Sequence, residues 1–342
     1  MIEFLRPNRN MLTLGLCVAL SFLFPFASSM ADPAPLLQLA QANPDQLKKQ
    51  NLLTGDSIAV LYPESTDAYR AFFTQIVEGV ESQTKTKVRV MTIAEKQDSA
   101  EIYSQLKKAG TKVVIALGSR GKQISSSFER DIAVVVGGVL IINEAENSKL
   151  LGIALTPDPG LLFKNVKELI PSMKRVIVIY DPKKSDWLLK FARLAAKEQG
   201  IELVAHEAQD LASAARLYES VFNSADPKTD TVWLPQDETT VNEDTILPIV
   251  LKESWSKNVP FFSSKFIHVK KGALFSLRPN NVELGRNLAV IAMNILAGDV
   301  SKRGMTPLKD VQTALNLRTA SHIGLNIGSQ QQRNYNYIFP EP

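Results

Sequence analysis

Arg175–Ala205 reads RVIVIYDPKKSDWLLKFARLAAKEQGIELVA, and this stretch decides the fold. Arg175 to Tyr180 is a short run of apolar residues without alternation, the pattern of a strand covered on both faces. A helical pattern runs from Asp186, an N-cap residue type, to Gln199. Ile201 to Ala205 is a second strand. A strand, a helix and a strand in this order make a crossover unit, so the sheet is parallel.

The unit recurs on both sides. Toward the N-terminus, Ile58 to Tyr62 is a strand and Ser65 to Ser82 a helix. That helix places Tyr69, Phe72, Phe73, Ile76, Val77 and Val80 on one face, with Ser65, Thr66 and Asp67 as cap candidates. Val88–Ile93, Val113–Leu117 and Ala133–Val136 are further strands, Ser99–Lys108 a helix, and Leu161–Ile170 a helix stopped by Pro171. Toward the C-terminus come strands Thr231–Leu234 and Val259–Ser263, with helices near 211–223 and 243–256. The alternation predicts an α/β protein with two parallel-sheet lobes. Gly152 to Pro159, extended and holding two prolines, reads as the crossing between them.

Composition supports this and excludes other classes. The chain has 342 residues, 45% hydrophobic and 22% charged, which fits two globular domains. Its net charge of +4 is scattered, so no nucleic-acid partner is expected. Residues 1–31 read as a cleaved signal peptide: Arg6 and Arg9 lead, Met11–Ala27 is apolar, and Ser29-Met30-Ala31 fits the cleavage site. A retained anchor is the alternative. Cys17, the only cysteine, lies inside the apolar run behind Leu16, unlike a lipoprotein signal. The exported form then has no thiol, which removes disulfide, thiolate and cysteine–metal chemistry. Residues 32–54 read as an N-terminal extension.

Ligands of open parallel sheets bind beyond the carboxyl ends of the strands. Those ends hold Tyr62-Pro63-Glu64-Ser65, Gly118-Ser119-Arg120-Gly121 and Gly137-Gly138 in the first lobe. In the second they hold Tyr180–Trp187, Pro235–Thr240 and Ser263-Ser264-Lys265. Each residue also has a structural reading, since glycines allow tight turns and Ser, Thr and Asp cap helices. Helix N-termini at such an edge favour an anion, and Tyr62, Tyr180 and Trp187 offer surfaces for a flat ligand.

Catalytic signatures are missing. Leu117 stands where a nucleophile elbow needs glycine, and no phosphate-binding glycine loop is present. His206, His268 and His322 are far apart and suit surface or structural roles. Asp237-Glu238 and Glu243-Asp244 are adjacent pairs that point in different directions. Neither cofactor nor metal is expected.

Several segments carry a family resemblance: Gly152–Pro157, Leu169–Val176, Tyr180-Asp181-Pro182, Trp233–Val241, Asn258–Ser264, Lys271–Leu274, Glu283–Arg286, Ile295–Gly298 and Leu315–Leu325. Together, across roughly 55–328, they resemble the ABC-transporter substrate-binding proteins related to tryptophan- and tyrosine-type binders. The resemblance implies a type I periplasmic binding fold, two Rossmann-like lobes joined by a three-stranded hinge. Lobe 1 would span 55–152 plus 278–305, and lobe 2 153–277 plus 306–342. Later crossings would fall near Phe275–Pro279 and Met305–Leu308, with Val282–Ala297 a helix returning to lobe 1. Ser119 and Gly138 would hold a ligand carboxylate and Asp237 an amine. The full expected ligand-binding set is Tyr62, Ser119, Arg120, Gly138, Asp181, Ser185, Trp187, Gln236, Asp237 and Ser264. Arg120 and the lack of Asp-Pro after Gly138 depart from the family pattern, and a basic cleft residue such as Arg120 equally suits a dicarboxylate or another anion. The implied role is a monomeric, non-enzymatic periplasmic protein that passes an amino acid or similar carboxylate to an ABC permease and ATPase. A binding protein that signals to a membrane receptor is the alternative, and a hydrolase the second.

Overall fold

The computed structural model describes residues 57–140, 144–299 and 304–340. The signal segment 1–31 and the extension 32–54 lie outside them. The first sheet contains β1 (Ile58–Pro63), β2 (Arg89–Ile93), β3 (Val113–Leu117), β4 (Ala133–Val139), β5 (Leu151–Pro157) and β11 (Gly304–Leu308). All six are parallel, in the order β11-β5-β4-β3-β1-β2. Every side chain of β3 is buried, as its unbroken apolar run requires. Alternate residues divide between two helix layers. Val60, Ile115 and Leu117 meet α1 (Asp67–Thr84) and α10 (Asn281–Leu296). Ala59, Leu61 and Ala116 meet α2 (Ser99–Lys108) and α3 (Gly118–Ser125).

The second sheet contains β6 (Arg175–Tyr180), β7 (Glu202–Glu207), β8 (Asp230–Leu234), β9 (Phe261–Ser263), β10 (Phe275–Pro279), β12 (Val311–Asn316) and β13 (Tyr337–Phe339). Its order is β13-β12-β10-β9-β8-β6-β7, and only the β10–β12 pair is antiparallel. One face packs on α5 (Pro159–Leu169) and α6 (Pro182–Gln199), the other on α7 (Leu211–Ser224) and α8 (Ile246–Lys257). Helix α6 starts four residues earlier than its sequence pattern suggested. Asp181 is its cap, accepting the Lys183 N–H at 3.0 Å, and Pro182 sits in the first turn, where its missing N–H costs nothing.

Three crossovers join the lobes. They follow β5, β10 and β11, and all leave from carboxyl edges. β12 also starts at that edge, because Val311 pairs antiparallel with Pro279. The Asp158 N–H donates to Leu308 O at 2.8 Å, and the Asn280 N–H to Asp310 O at 3.0 Å. The crossovers therefore form one tied hinge, and the carboxyl edges of both sheets border one cleft. The lobe limits at 152/153, 277/278 and 305/306 need correction, because each cuts a strand that pairs whole within one sheet. Strands are the cooperative units of pairing, so the chain changes lobes only after they end, at 157–159, 279–281 and 308–311.

Helix α10 returns from the hinge and lies directly on α1. A Cβ on Gly79 would stand 2.0 Å from Val282 O, and one on Gly285 2.0 Å from Ile76 O. Only glycine lets the backbones approach so closely. Gly285→Ala should therefore lower unfolding stability by about 3 kcal/mol, the upper range for overpacking a core. Gly328→Ala, where a Cβ meets nothing closer than 3.9 Å, should leave the urea midpoint nearly unchanged.

Candidate functional site

The lobe 1 wall of the cleft is built on aromatic rings. Tyr62, near the end of β1, stacks on Phe73 of α1 with ring centroids 5.1 Å apart and planes 14° from parallel. Phe72 meets Phe73 edge-on at 5.1 Å. Gly118 and Gly138 lie over these rings, both with positive φ, at 71° and 69°. A Cβ on Gly138 would stand 3.3 Å from the Gly118 nitrogen and 3.7 Å from the Phe72 ring. The two glycines thus bring bare backbone to the aromatic floor.

Helix α3 begins at Gly118 with no side-chain cap. Its first-turn N–H groups point to the edge where the positive end of the helix dipole favours an anion. Ser119 stands exposed there. β1 and β3 are sheet neighbours, so Ser65 leaves the same edge beside Gly118. The Ser65 hydroxyl is buried and has no hydrogen-bond partner. A buried unpaired hydroxyl needs a reason, and a bound acceptor supplies one.

Arg120 is not the open cleft cation the sequence suggested. Its guanidinium donates to Glu95 O at 2.8 Å, Gln97 O at 3.1 Å and Gln123 Oε1 at 3.0 Å. It fastens the loop after β2 to α3. Nε is buried without a partner.

The second lobe requires more corrections. Asp237 is fully buried, and its carboxylate is already used. It accepts the Asp181 N–H at 2.7 Å, the Thr239 N–H at 2.9 Å and the Ser185 hydroxyl at 3.4 Å. A carboxylate that satisfies three protein donors braces two loops and leaves little capacity for a ligand amine. Asp181 and Ser185 are buried parts of the same brace. Ser264 is buried and accepts the Trp233 indole N–H at 3.0 Å. Trp187, 3% exposed, packs edge-on to Phe191 in an apolar cluster that also contains Val136, Val139 and Ala154 of the first sheet. So deep a burial leaves it no open surface on which a ligand ring could stack. Tyr180 is likewise buried, with its hydroxyl donating to Glu207 at 3.2 Å.

Of the second-lobe set, Gln236 alone is partly exposed, and its Oε1 is buried without a partner. Tyr62, Ser119, Gly138 and Gln236 therefore remain as cleft-edge groups. Sequence reasoning missed Phe72 and Phe73 as a cleft floor, and it placed Ser65 at the ligand-bearing strand edge and among the cap candidates without naming it in the ligand-binding set. The apolar face of α1 named those rings, but their place under two glycines depends on the sheet.

One constellation superficially suggests catalysis. Ser263 Oγ lies 2.8 Å from His268 Nδ1, and His268 Nε2 lies 3.9 Å from Glu243 Oε1. Ser263 and His268 are both fully buried, so no substrate reaches the hydroxyl. The expectation of a satisfied structural His268 holds for Nδ1, whereas Nε2 has no hydrogen-bond partner. Burial first, and the Lys265 charge second, depress the His268 pKa to about 4; Glu243 opposes this and Lys271 adds to it. Among the described residues, no group of three or more His, Cys, Asp or Glu side chains is arranged to hold a metal ion.

This architecture is that of a type I periplasmic binding protein. The chain belongs to the ABC transporter substrate binding protein family, whose model matches residues 57–331. Such proteins bind small-molecule ligands and work with ABC transporters. A protein from Streptococcus pneumonia in complex with L-Trp is 17% identical, covering 82% of this chain and 99% of its own, with a TM-score of 0.51. A ligand-free, open substrate binding protein with adhesive properties from Clostridium difficile is 19% identical, covering 82% and 98%, with a TM-score of 0.57. No curated protein matches in sequence.

Two outcomes test the site. Asp237→Ala strands three buried or part-buried donors and should lower stability by about 3 kcal/mol in urea unfolding. His268 has a folded pKa below its ordinary value of 6.5, so the unfolded chain binds its proton first on acidification. Stability from this group is present above pH 6.5 and falls as pH drops toward about 4, by at most about 3 kcal/mol. His268→Gln should flatten that part of the stability–pH curve.

Proposed function

We propose that the chain is exported to the periplasm, captures a small carboxylate-bearing solute in the interlobe cleft and delivers it to an ABC importer. The observation that carries this reading is the lobe 1 wall. The uncapped start of α3 and the orphaned Ser65 hydroxyl suit a carboxylate, and the Tyr62–Phe73–Phe72 floor suits a flat or apolar body. The pneumococcal relative's L-Trp combines those two chemistries. Gln236 of the second lobe supplies a polar group to the ligand once the cleft closes. Asp237 acts behind it as the brace that fixes the loop geometry.

The mechanism requires two states. Ligand first binds lobe 1, and contacts with lobe 2 form only on closure, so differential affinity shifts the hinge equilibrium. Moving from 1% to 99% closed takes about 5.5 kcal/mol. Two or three charge-assisted hydrogen bonds at roughly 1.5–3 kcal/mol each, with ring contact, reach that value. The closed form is then read by the permease.

Thermal-shift titration of the purified protein against amino acids and small carboxylates tests this. A stabilising ligand is expected, with aromatic or branched carboxylates leading. Ser65→Ala and Gln236→Ala should each weaken its affinity about tenfold, the equivalent of one hydrogen bond. A ligand whose affinity ignores both substitutions would place binding elsewhere.

A further inference from the structure

A second concave surface lies on the first lobe, apart from the lobe 2 loops. It is a groove of about 1090 Å³ that runs beside α3 over β4 and the start of β5. Topology explains it. Helices α2 and α3 cover the centre of this sheet face, but the helix after β4, α4 (Glu144–Asn147), has only four residues. It is too short to cover the strands it connects. The groove follows the chain from Ile132 to Val136, a rise of roughly 13 Å at about 3.3 Å per residue.

Its floor is apolar, formed by Ile132, Val134, Val136 and Leu151. Its mouth at the amino ends of the strands carries Arg130 and Lys149, both exposed. Glu129, the single acid on the lining, is already paired: it accepts the Tyr103 hydroxyl at 3.0 Å and lies 3.9 Å from Lys107. The mouth is therefore cationic and the interior apolar. The size suits a small molecule, with an apolar floor on the strands, a polar wall along α3 that includes Lys122 and Gln123, and the two exposed cations at the amino end. The sheet backbone beneath is fully paired, so an added strand finds no edge there.

We propose that this groove binds a single-chain anionic amphiphile, a long-chain carboxylate. Its chain lies along Val134, Leu150 and Leu151, and its headgroup sits between Arg130 and Lys149. Ser119 and Arg120 of α3 line the far end of the groove, so it approaches the cleft there, but its headgroup end at Arg130 and Lys149 lies at the opposite, amino edge of the strands and gives the first lobe a second ligand.

The test uses a dansyl-labelled undecanoate as fluorescent probe, displaced by dodecanoate or by the uncharged dodecanol. Dodecanoate should displace it at least about tenfold more effectively, a preference that shrinks at high salt. Val134→Trp should abolish probe binding by filling the floor. Arg130→Glu combined with Lys149→Glu should weaken it about tenfold or more while leaving the melting temperature within a few degrees. Ser65→Ala and Gln236→Ala should bind the probe as the parent does. The proposal is overturned if dodecanol competes as well as dodecanoate, if both groove variants bind normally, or if the cleft variants lose the probe.

Discussion

The hinge is the constraint on which the rest depends. Two backbone hydrogen bonds, from Asp158 to Leu308 and from Asn280 to Asp310, tie three crossovers that all leave from carboxyl edges. Because parallel strands put their ligand-bearing loops at that edge, tying the crossovers there turns two separate loop sets into one cleft. The same residues begin the next elements. Asp158 caps α5 by accepting the Gly160 N–H at 2.7 Å, and Asn280 caps α10 by accepting the Glu283 N–H at 3.3 Å. A change at the hinge is thus transmitted to whole helices and not absorbed in slack loops.

The two walls of the cleft use polar residues differently. The first lobe leaves groups open: an uncapped helix start, a buried hydroxyl without a partner and two bare glycines on aromatic rings. The second lobe spends its Asp and Ser groups on itself, with Asp237 holding Asp181, Ser185 and Thr239. This asymmetry fits sequential binding, in which the open wall makes first contact and a rigid second wall closes over it. Asp237 acts through the loops it fixes.

Much of the architecture is written locally. The continuous apolar runs of β1, β3, β6 and β8 match buried parallel strands, and their limits follow from the polar residues that flank them. The return helix expected at 282–297 is α10 at Asn281–Leu296. In sequence β5 has the marks of an extended crossing, because it holds Gly152 and ends at Pro157. It is a strand because Gly152 lets the backbone meet Val136, where a Cβ would stand 1.8 Å from the carbonyl oxygen. No local pattern announces such an approach.

The site divides along the same line. The α/β class, the two sheets, the edges where ligands gather and the polar residue types found there are all legible in the amino-acid order, because hydrophobic period and turn chemistry are local properties. Which of those residues remain available is set by packing between distant segments. Asp181, Ser185, Asp237 and Ser264 have the composition of ligand groups, yet each is buried against another loop, and Trp187 is drawn into a core shared by both lobes. A hydrogen-bonding side chain serves a ligand only where packing leaves its valence unfilled. That balance is set by residues tens of positions away, such as the 56 between Asp181 and Asp237.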